Sequence, residues 1–386
     1  MDKSKGNLLR VFGIGLLSLL SVSWARGQAA PAQKPQMAED VFKNIQVLRG
    51  ISVDEFMGTM GFFSAATGMN CVDCHTADSV SNWTKFADDT PYKQTARRMV
   101  LMVRTINQAN FGGKRMVTCY SCHRGSDQPK VTPSLAEQYE TPPPDDPDEI
   151  EVISDTPAAG ALTADQVIDK YIQALGGAQQ LAKLTSFTAK GTYVGYDSDQ
   201  QQVPLDLYAK GPDMRAMVVH TLLGDDFTSY DGHDGWVGGI HQPFPVVQRM
   251  GGDLEGMRVD AVLSIPATIK QSFAKWRAGF PDVTVDNHPL QVIEGSTASG
   301  FRVKLYFDKQ TGLLTRQVRY ANTVVGLNPT HIEYSDYRPV AGVKVPFHWV
   351  TTWTDGQSTM QLSEVQPNTT IDAAKFGKPN PAPAKK

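Results

Sequence analysis

The sequence predicts a multidomain protein in which a mainly α-helical domain precedes an antiparallel curved β-sheet, or incomplete β-barrel, domain with N-terminal helices. Three observations predict this architecture. Amphipathic helical stretches occur in the first half, repeated hairpin patterns occur in the second half, and an acidic, proline-rich segment lies between them. At 386 residues the chain is long enough for two domains that each bury a core.

The domain boundaries are predicted from changes in composition. Residues 1–29 have the pattern of a signal peptide, because basic residues precede a short apolar stretch and then small residues. The apolar stretch is short for a membrane span, so an exported periplasmic protein is expected, with an uncleaved membrane anchor as the alternative. The other predicted segments are a helical domain over 30–137, a linker over 138–162, a β domain over 163–378 and a disordered tail over 379–386.

Two helices are predicted in the first domain, and a cysteine pair follows each of them. The first begins at Ser52, with Glu55 in the position of a capping box, and ends at Gly68. The second begins at Thr90-Pro91 and ends at Gly112-Gly113. The unit of helix, turn and cysteine pair therefore occurs twice.

All four cysteines fall in two copies of the pattern CxxCH, which is the attachment signature of haem c. Two thiols bind the two vinyl groups, and the next histidine is the fifth ligand of the iron. The copies are Cys71-Val-Asp-Cys74-His75 and Cys119-Tyr-Ser-Cys122-His123. Disulfides or a four-cysteine zinc site are the alternatives, but both leave the adjacent histidines unexplained. The sequence predicts two covalently attached haem c groups, and hence a mainly α c-type dihaem cytochrome domain.

Each iron needs a sixth ligand, and both histidines of this domain already serve as fifth ligands. Methionine is the natural candidate, and His/Met ligation raises the reduction potential relative to His/His ligation. Periodicity alone does not choose among the helical methionines, because methionines at this spacing also pack cores. The candidates are Met57, Met60, Met99 and Met102.

Residues 42–126 resemble the haem-binding repeats of the tetrahaem cytochrome c subunit of photosynthetic reaction centres. The matching stretches are Asp54-Glu55-Phe56, Ala96-Arg97-Arg98-Met99, Arg104-Thr105-Ile106-Asn107 and the segment from Thr118 to Gly125, together with the first CxxCH motif. In that family a helical methionine ahead of each motif is the distal iron ligand. The resemblance implies Met60 as the ligand of the first haem and Met99 as the ligand of the second.

The chain also departs from that family. It has two motifs where the family has four, and the loop 110–118 lacks the histidine that ligates a haem of the missing half. The resemblance therefore implies redox partner proteins, membrane-bound or periplasmic, and leaves open whether a reaction centre is among them.

Four arginines flank the second motif in the sequence: Arg97, Arg98, Arg115 and Arg124. They form either a solvated basic face or partners for the haem propionates, which are anions that need hydrogen-bond donors. Arg124 is the preferred propionate partner, because it directly follows His123.

The segment 141–151 carries four prolines and five acidic residues, which predicts a semi-extended, self-repelling linker. The β domain then opens with a helix that Thr163 and Gln166 cap and that Gly176-Gly177 ends. Strand patterns and turns follow to about residue 354, with one helix predicted near 254–278. Consecutive hairpins predict an antiparallel sheet that curls.

This second half resembles the curved, incomplete β-barrel of outer-membrane lipoprotein-sorting carriers. The resemblance rests on Leu175-Gly176-Gly177, the hairpin from Tyr230 to Trp236, and Gly342-Val343-Lys344-Val345-Pro346. In that family the concave face shelters lipid, which implies a lipid or hydrophobic ligand by analogy of fold alone. Six histidines occur singly here, which is typical of structural histidines: His220, His233, His241, His288, His331 and His348.

The predicted function is one-electron transfer rather than catalysis, because six-coordinate haems offer no open site to a substrate. Two other functions stay open. One is a haem peroxidase or haem sensor with an open iron site, and the other is a periplasmic carrier of lipid or hydrophobic ligand that uses the cytochrome for docking. Nucleic-acid binding is disfavoured, because the net charge is −3 and no arginine-rich tract occurs.

Overall fold

The computed structural model describes residues 35–135, 138, 140, 146, 148, 161–239, 245–278, 283–285 and 288–380. The predicted signal peptide, most of the predicted linker and His241 lie outside these residues. Pro35–Lys386 form one compact unit. Among the described residues, none of the helices combines the length and the apolar character needed to cross a membrane.

In the described residues before the predicted linker the structure has the α-helices α1 Ala38–Val41, α2 Val53–Thr67, α3 Cys71–Cys74, α4 Pro91–Phe111 and α5 Cys119–His123. Two 3-10 helices, Ala77–Val80 and Trp83–Ala87, connect α3 to α4. The predicted ends of α2 are confirmed, because the Ser52 hydroxyl accepts the Glu55 N–H and Gly68 adopts a left-handed φ of 69°. The predicted start of α4 after Thr90 and its end before Gly112 are confirmed as well.

The described part of the second half has the α-helices α6 Ala164–Ala174, α7 Ala178–Leu181 and α8 Gly251–Ser264, and the 3-10 helices Tyr196–Ser198, Pro266–Gln271 and Ala373–Lys375. Its first strands are β1 Ser186–Gly195, β2 Val203–Lys210, β3 Met214–His220, β4 Asp225–Tyr230, β5 Gly235–Gly238, β6 Val246–Arg249 and β7 Lys275–Ala278. The others are β8 Val283–Val285, β9 His288–Ser296, β10 Arg302–Asp308, β11 Leu314–Asn322, β12 Leu327–Val340, β13 Val343–Trp353 and β14 Gly356–Pro367.

The strands form one open antiparallel sheet, as the sequence predicts. Its order is β6-β5-β4-β3-β2-β1-β14-β13-β12-β11-β10-β9-β7, and β8 also pairs with β9. Two runs of consecutive hairpins meet where β1 pairs with β14, in a register that aligns Phe187 with Pro367. Strand β14 lies beyond the last strand that the sequence predicts, and it is the strand that joins the two runs.

The helix predicted near 254–278 is wrong over its last residues, because Lys275–Ala278 form β7. Trp276 lies opposite Gly295 of β9, and its ring packs against Phe273 at a centroid distance of 4.7 Å, with the two ring planes tilted by 60°. Gly295 leaves the space that the indole ring fills, since a Cβ there would lie 2.8 Å from the ring. A cross-strand fit of this kind outweighs local helical periodicity.

One face of the sheet is covered by α6, α8 and the 3-10 helix Pro266–Gln271. These elements share one hydrophobic core with the strands, and Ile168, Ile269 and Leu305 within it are fully buried. The covered face is therefore a packed hydrophobic core.

The helical first half packs against this sheet. The turn between β11 and β12 carries Val325, which is buried in the same cluster as Phe62 of α2 and Val100 of α4. Asn328 donates a hydrogen bond to the Gly58 carbonyl of α2 over 2.8 Å. A second cluster joins Val53 of α2 to strands β5 and β6.

Asp148, inside the predicted linker, is bound to the sheet. Its carboxylate lies 2.8 Å from Arg316 and 2.7 Å from His331, and its carbonyl accepts a hydrogen bond from Tyr320. Burial alone would raise the pKa of Asp148, but the hydrogen bond from His331 and the charge of Arg316 hold it below its usual range.

Candidate haem-attachment sites

Each CxxCH motif forms a one-turn helix that a capping box closes. The Asn70 side chain accepts the N–H groups of Val72 and Asp73, and the Asp73 carboxylate accepts the Asn70 N–H over 2.8 Å. Thr118 and Ser121 make the same reciprocal pair at the second motif. Each helix therefore presents its two thiols from one turn. The patterns Asn-x-x-Asp and Thr-x-x-Ser are the sequence signals of these capping boxes, and they were not among the predicted caps.

Both motif histidines are held in the tautomer that binds a metal. His75 Nδ1 lies 3.1 Å from the Phe86 carbonyl oxygen, and His123 Nδ1 lies 2.9 Å from the Ser126 carbonyl oxygen. A carbonyl can only accept, so each Nδ1 is the donor and each Nε2 keeps a free lone pair. Burial and the charge of Lys93 lower the pKa of His75, which favours the neutral ring that ligates iron.

The four cysteines are free thiols, so the disulfide alternative is not realised in this structure. Burial raises the pKa of Cys71 and of Cys74, and it raises the pKa of Cys119 to about 11. Over the described ranges, no three His, Cys, Asp or Glu side chains cluster as metal ligands. The two cysteine pairs therefore do not converge on one four-cysteine zinc site.

The structure separates the four candidate methionines by their surroundings. Met57 packs in the cluster that joins α2 to the sheet, and Met102 is 42% exposed on α4. Met99 is half-buried on α4. Met60 is half-buried in the cluster that contains Cys119, the first cysteine of the second motif. Helix α2 packs against α5, and α4 packs against both α3 and α5, so the two sites share their helices.

The segment that enters the second motif is fixed by Asn107, which is 6% exposed on α4. Its amide N–H donates to the Val117 carbonyl over 2.7 Å, and its amide oxygen accepts the N–H groups of Met116 and Val117. Thr90 ties the first motif to α4 in a similar way, because its hydroxyl donates to the Cys74 carbonyl over 2.5 Å. Side chains of α4 and of its N-cap residue therefore position both motifs.

Replacing Asn107 with alanine is expected to lower the free energy of unfolding by about 1–3 kcal/mol, because three partly buried backbone groups lose their partner. Chemical denaturation of the full chain measures the change. Asn110→Ala is the matched control on the same helix. Asn110 is exposed and donates a hydrogen bond to the Ile106 carbonyl of its own helix, so its loss is expected to change stability by at most about 0.5 kcal/mol. Equal losses of stability in the two variants would contradict the role of Asn107 in fixing the segment that enters the second motif.

The four arginines near the second motif have different partners. Arg115 donates to the carbonyls of Thr323 and Gly326 in the β11–β12 turn, and Arg97 pairs with Asp89 over 2.7 Å. Arg98 donates to the Thr95 hydroxyl over 2.9 Å. Arg124 is exposed and caps α5 with a left-handed φ of 49°. Arg124 as the propionate partner stays a prediction.

The surroundings of the motifs fit a large, flat apolar group. Exposed apolar side chains are concentrated here: Val72, Val80, Trp83, Tyr92, Leu101, Met102, Phe111, Met116 and Tyr120. A cavity of about 440 Å³ lies between Gly68, Tyr92 and Gly125, and another of about 620 Å³ lies along α4 next to Arg115. Paired thiols, free imidazole nitrogens, apolar surface and open volume are what a covalently attached haem requires.

The region that contains the two motifs is similar in sequence to known cytochromes. Residues 22–173 match the model of the photosynthetic reaction centre cytochrome C subunit family. The reaction centre cytochrome c subunit of Thermochromatium tepidum is 37% identical over 106 residues, which are 26% of this chain and 25% of that protein. The subunit of Roseobacter denitrificans is 32% identical over 107 residues, covering 26% and 28%. The chain thus spans about a quarter of the length of the curated relatives it matches.

Solved structures similar to this chain match its second half. A LolA superfamily protein from Nitrosomonas europaea aligns with a TM-score of 0.38 and 14% identity, over 56% of this chain and 99% of that chain. A DUF1329 family protein from Desulfovibrio piger aligns with a TM-score of 0.38 and 12% identity, over 55% and 96%.

The described histidines of the β domain have separate surroundings. His220 lies 2.9 Å from Asp225 and 3.2 Å from Asp206, and these carboxylates outweigh burial and raise its pKa. His331 pairs with Asp148, and His348 lies 2.9 Å from the Ser335 hydroxyl. A structural role for these histidines stays a prediction.

Proposed function

We propose that the chain is a periplasmic dihaem c-type cytochrome that transfers single electrons between redox partner proteins. The observation that carries the proposal is the arrangement of the two CxxCH motifs. In each motif two thiols and one imidazole lie on a capped turn, and a backbone carbonyl holds Nδ1 so that Nε2 is free. The match to the reaction centre cytochrome family supports it.

When bound, haem c supplies a one-electron iron couple. The residues of this chain would hold and tune it. The cysteine pairs would anchor the two groups, and His75 and His123 would each supply an imidazole ligand to the iron. Met60 and Met99 are proposed as the sixth ligands, and Arg124 as a propionate partner. With a histidine and a methionine of the chain as ligands of each iron, no position would stay open to a substrate, so this ligand set would favour electron transfer over peroxidase or sensor chemistry.

The β domain is proposed to be the scaffold on which the helical half is docked. The buried contacts of α2 with β6 and with the β11–β12 turn support this role. A lipid or another hydrophobic ligand on the covered face of the sheet would have to displace α6 and α8 from a fully buried core. The packing therefore favours a scaffold over a ligand carrier.

Paired cysteine substitutions test the haem count. The full chain is exported together with the haem-attachment machinery, and the mass of the denatured protein reports covalent haem. We expect two haems in the unmodified chain, one in Cys71→Ser/Cys74→Ser, one in Cys119→Ser/Cys122→Ser, and none when all four are replaced. A mature chain without covalent haem, or with a zinc ion that the substitutions remove, would refute the proposal. Reaction of the reduced protein with carbon monoxide would indicate an open iron and favour the sensor or peroxidase alternative.

A further inference from the structure

The carbonyl that holds His75 accepts a second hydrogen bond, and the donor is a cation. The Phe86 oxygen lies 3.1 Å from His75 Nδ1 and 2.7 Å from Lys93 Nζ. Lys93 Nζ also donates to the Asp88 carbonyl over 2.6 Å, so it bridges two carbonyls of the segment between α3 and α4. The Phe86 ring packs edge-on against His75 at a centroid distance of 4.8 Å. Phe86 thus contacts the His75 imidazole through both its carbonyl and its ring, and Lys93 holds Phe86 in place.

The second motif has a different arrangement. His123 Nδ1 lies 2.9 Å from the Ser126 carbonyl, within the turn that follows its own motif. Among the hydrogen bonds between described residues, no lysine or arginine donates to the Ser126 carbonyl. The two histidines therefore have the same type of partner, but a cation acts on that partner only at the first site.

This difference has an electronic consequence. A carbonyl oxygen that is polarised by an ammonium group has less electron density to offer to a second donor, so its hydrogen bond to His75 Nδ1–H is weakened. A weaker bond at Nδ1 leaves the imidazole a poorer electron donor through Nε2, and this destabilises the oxidised iron relative to the reduced iron. The positive charge of Lys93 favours the reduced state in the same direction.

We propose that Lys93 is a positioning residue that raises the reduction potential of the first haem relative to the second. The proposal rests on the proposed attachment of haem at both motifs. Two acidic side chains lie near Lys93, and each already has a cation of its own. Asp88 pairs with Lys85 over 3.2 Å, and Asp89 pairs with Arg97 over 2.7 Å. The charge of Lys93 is therefore not cancelled by a dedicated carboxylate, and it acts on the Phe86 and Asp88 carbonyls.

Redox titration of the full-length holoprotein followed by visible absorbance tests the proposal. Lys93→Met is expected to raise the ferric-to-ferrous ratio of the first haem about tenfold at a fixed applied potential. This corresponds to a fall of about 59 mV in the reduction potential of that haem. The second haem is expected to keep its potential. The same substitution in the Cys119→Ser/Cys122→Ser background, which keeps only the first haem, assigns the shift to that site. Lys93→Arg retains the charge and the donors, and we expect it to restore most of the potential.

Lys85→Met is the matched control. Lys85 carries the same charge in the same segment, but its ammonium group pairs with the Asp88 carboxylate. We expect a smaller shift than for Lys93→Met. Equal shifts in the two variants, a shift of the second haem, or no shift in Lys93→Met with both haems attached would each overturn the proposal. Absence of covalent haem from the unmodified protein would instead refute the proposed function, so the two failures are distinguishable.

Discussion

Replacing Arg249 with methionine is expected to lower the free energy of unfolding by about 3–5 kcal/mol, because it leaves a buried carboxylate without its partner. Asp54 of α2 is 2% exposed, and its Oδ1 lies 2.5 Å from Arg249 Nη1 at the end of β6. Its other oxygen accepts the Met250 N–H over 2.8 Å. The ion pair joins the helical half to the sheet, so its loss is expected to weaken the docking of the two halves.

Denaturation of the full chain measures this effect, and Arg338→Met is the control. Arg338 pairs with Asp336 on the surface, where the side chains are 48% and 37% exposed, so its loss is expected to change stability by at most about 1 kcal/mol. The double variant Asp54→Asn/Arg249→Met removes both charges and is expected to recover part of the loss. If Arg249→Met were no more destabilising than Arg338→Met, the buried pair would not hold the halves together.

The effect is expected to depend on pH. Burial raises the pKa of Asp54 to about 6 from 3.8, against the pull of Arg249. A carboxyl whose folded pKa lies above its unfolded pKa contributes stability below the unfolded value, and loses that contribution as the pH rises through the folded pKa. Arg249→Met removes the charge that favours ionisation. Its deficit relative to the unmodified chain is therefore expected to be largest above about pH 7 and to shrink towards about pH 5.

The sequence predicts much of the local structure because local chemistry determines it. Ser52, Thr90 and Thr163 cap helices where their patterns place them, and Gly68 and Gly112 end helices in the left-handed conformation. The CxxCH motifs likewise specify which residues form the candidate sites. In each case the partners lie within a few positions of one another, so one stretch of sequence contains the whole signal.

The docking of the two halves has no such local signal. Asp54 and Arg249 are 195 positions apart, and Arg115 reaches backbone carbonyls of a turn 208 positions away. Every residue has a backbone carbonyl, so the residue types do not show which carbonyl accepts a hydrogen bond. Neither the contacts of Arg115 nor the hydrogen bond from Lys93 to Phe86 can therefore be predicted from the sequence. Such contacts arise from tertiary packing, and only the folded chain contains them.

The assignment of the distal ligands gives the largest expected electronic effect. Met60→His is expected to lower the potential of the first haem by more than about 0.1 V while both haems stay attached, because axial ligands set haem potentials over a range of about 0.8 V. Met99→His is expected to do the same at the second haem. Redox titration followed by visible absorbance measures both shifts, and the one-haem cysteine variants assign each shift to a motif.

Met102→His is the control for both substitutions. Met102 is exposed on α4, so a histidine there is expected to leave both potentials unchanged. An unchanged potential in Met60→His would mean that Met60 is not a ligand. A shift confined to the second haem would assign Met60 to that iron. Met60 packs in the same cluster as Cys119 of the second motif, so the experiment has to distinguish the two irons. The helices are shared between the motifs, so the potentials, rather than the order of residues along the chain, determine which methionine belongs to which haem.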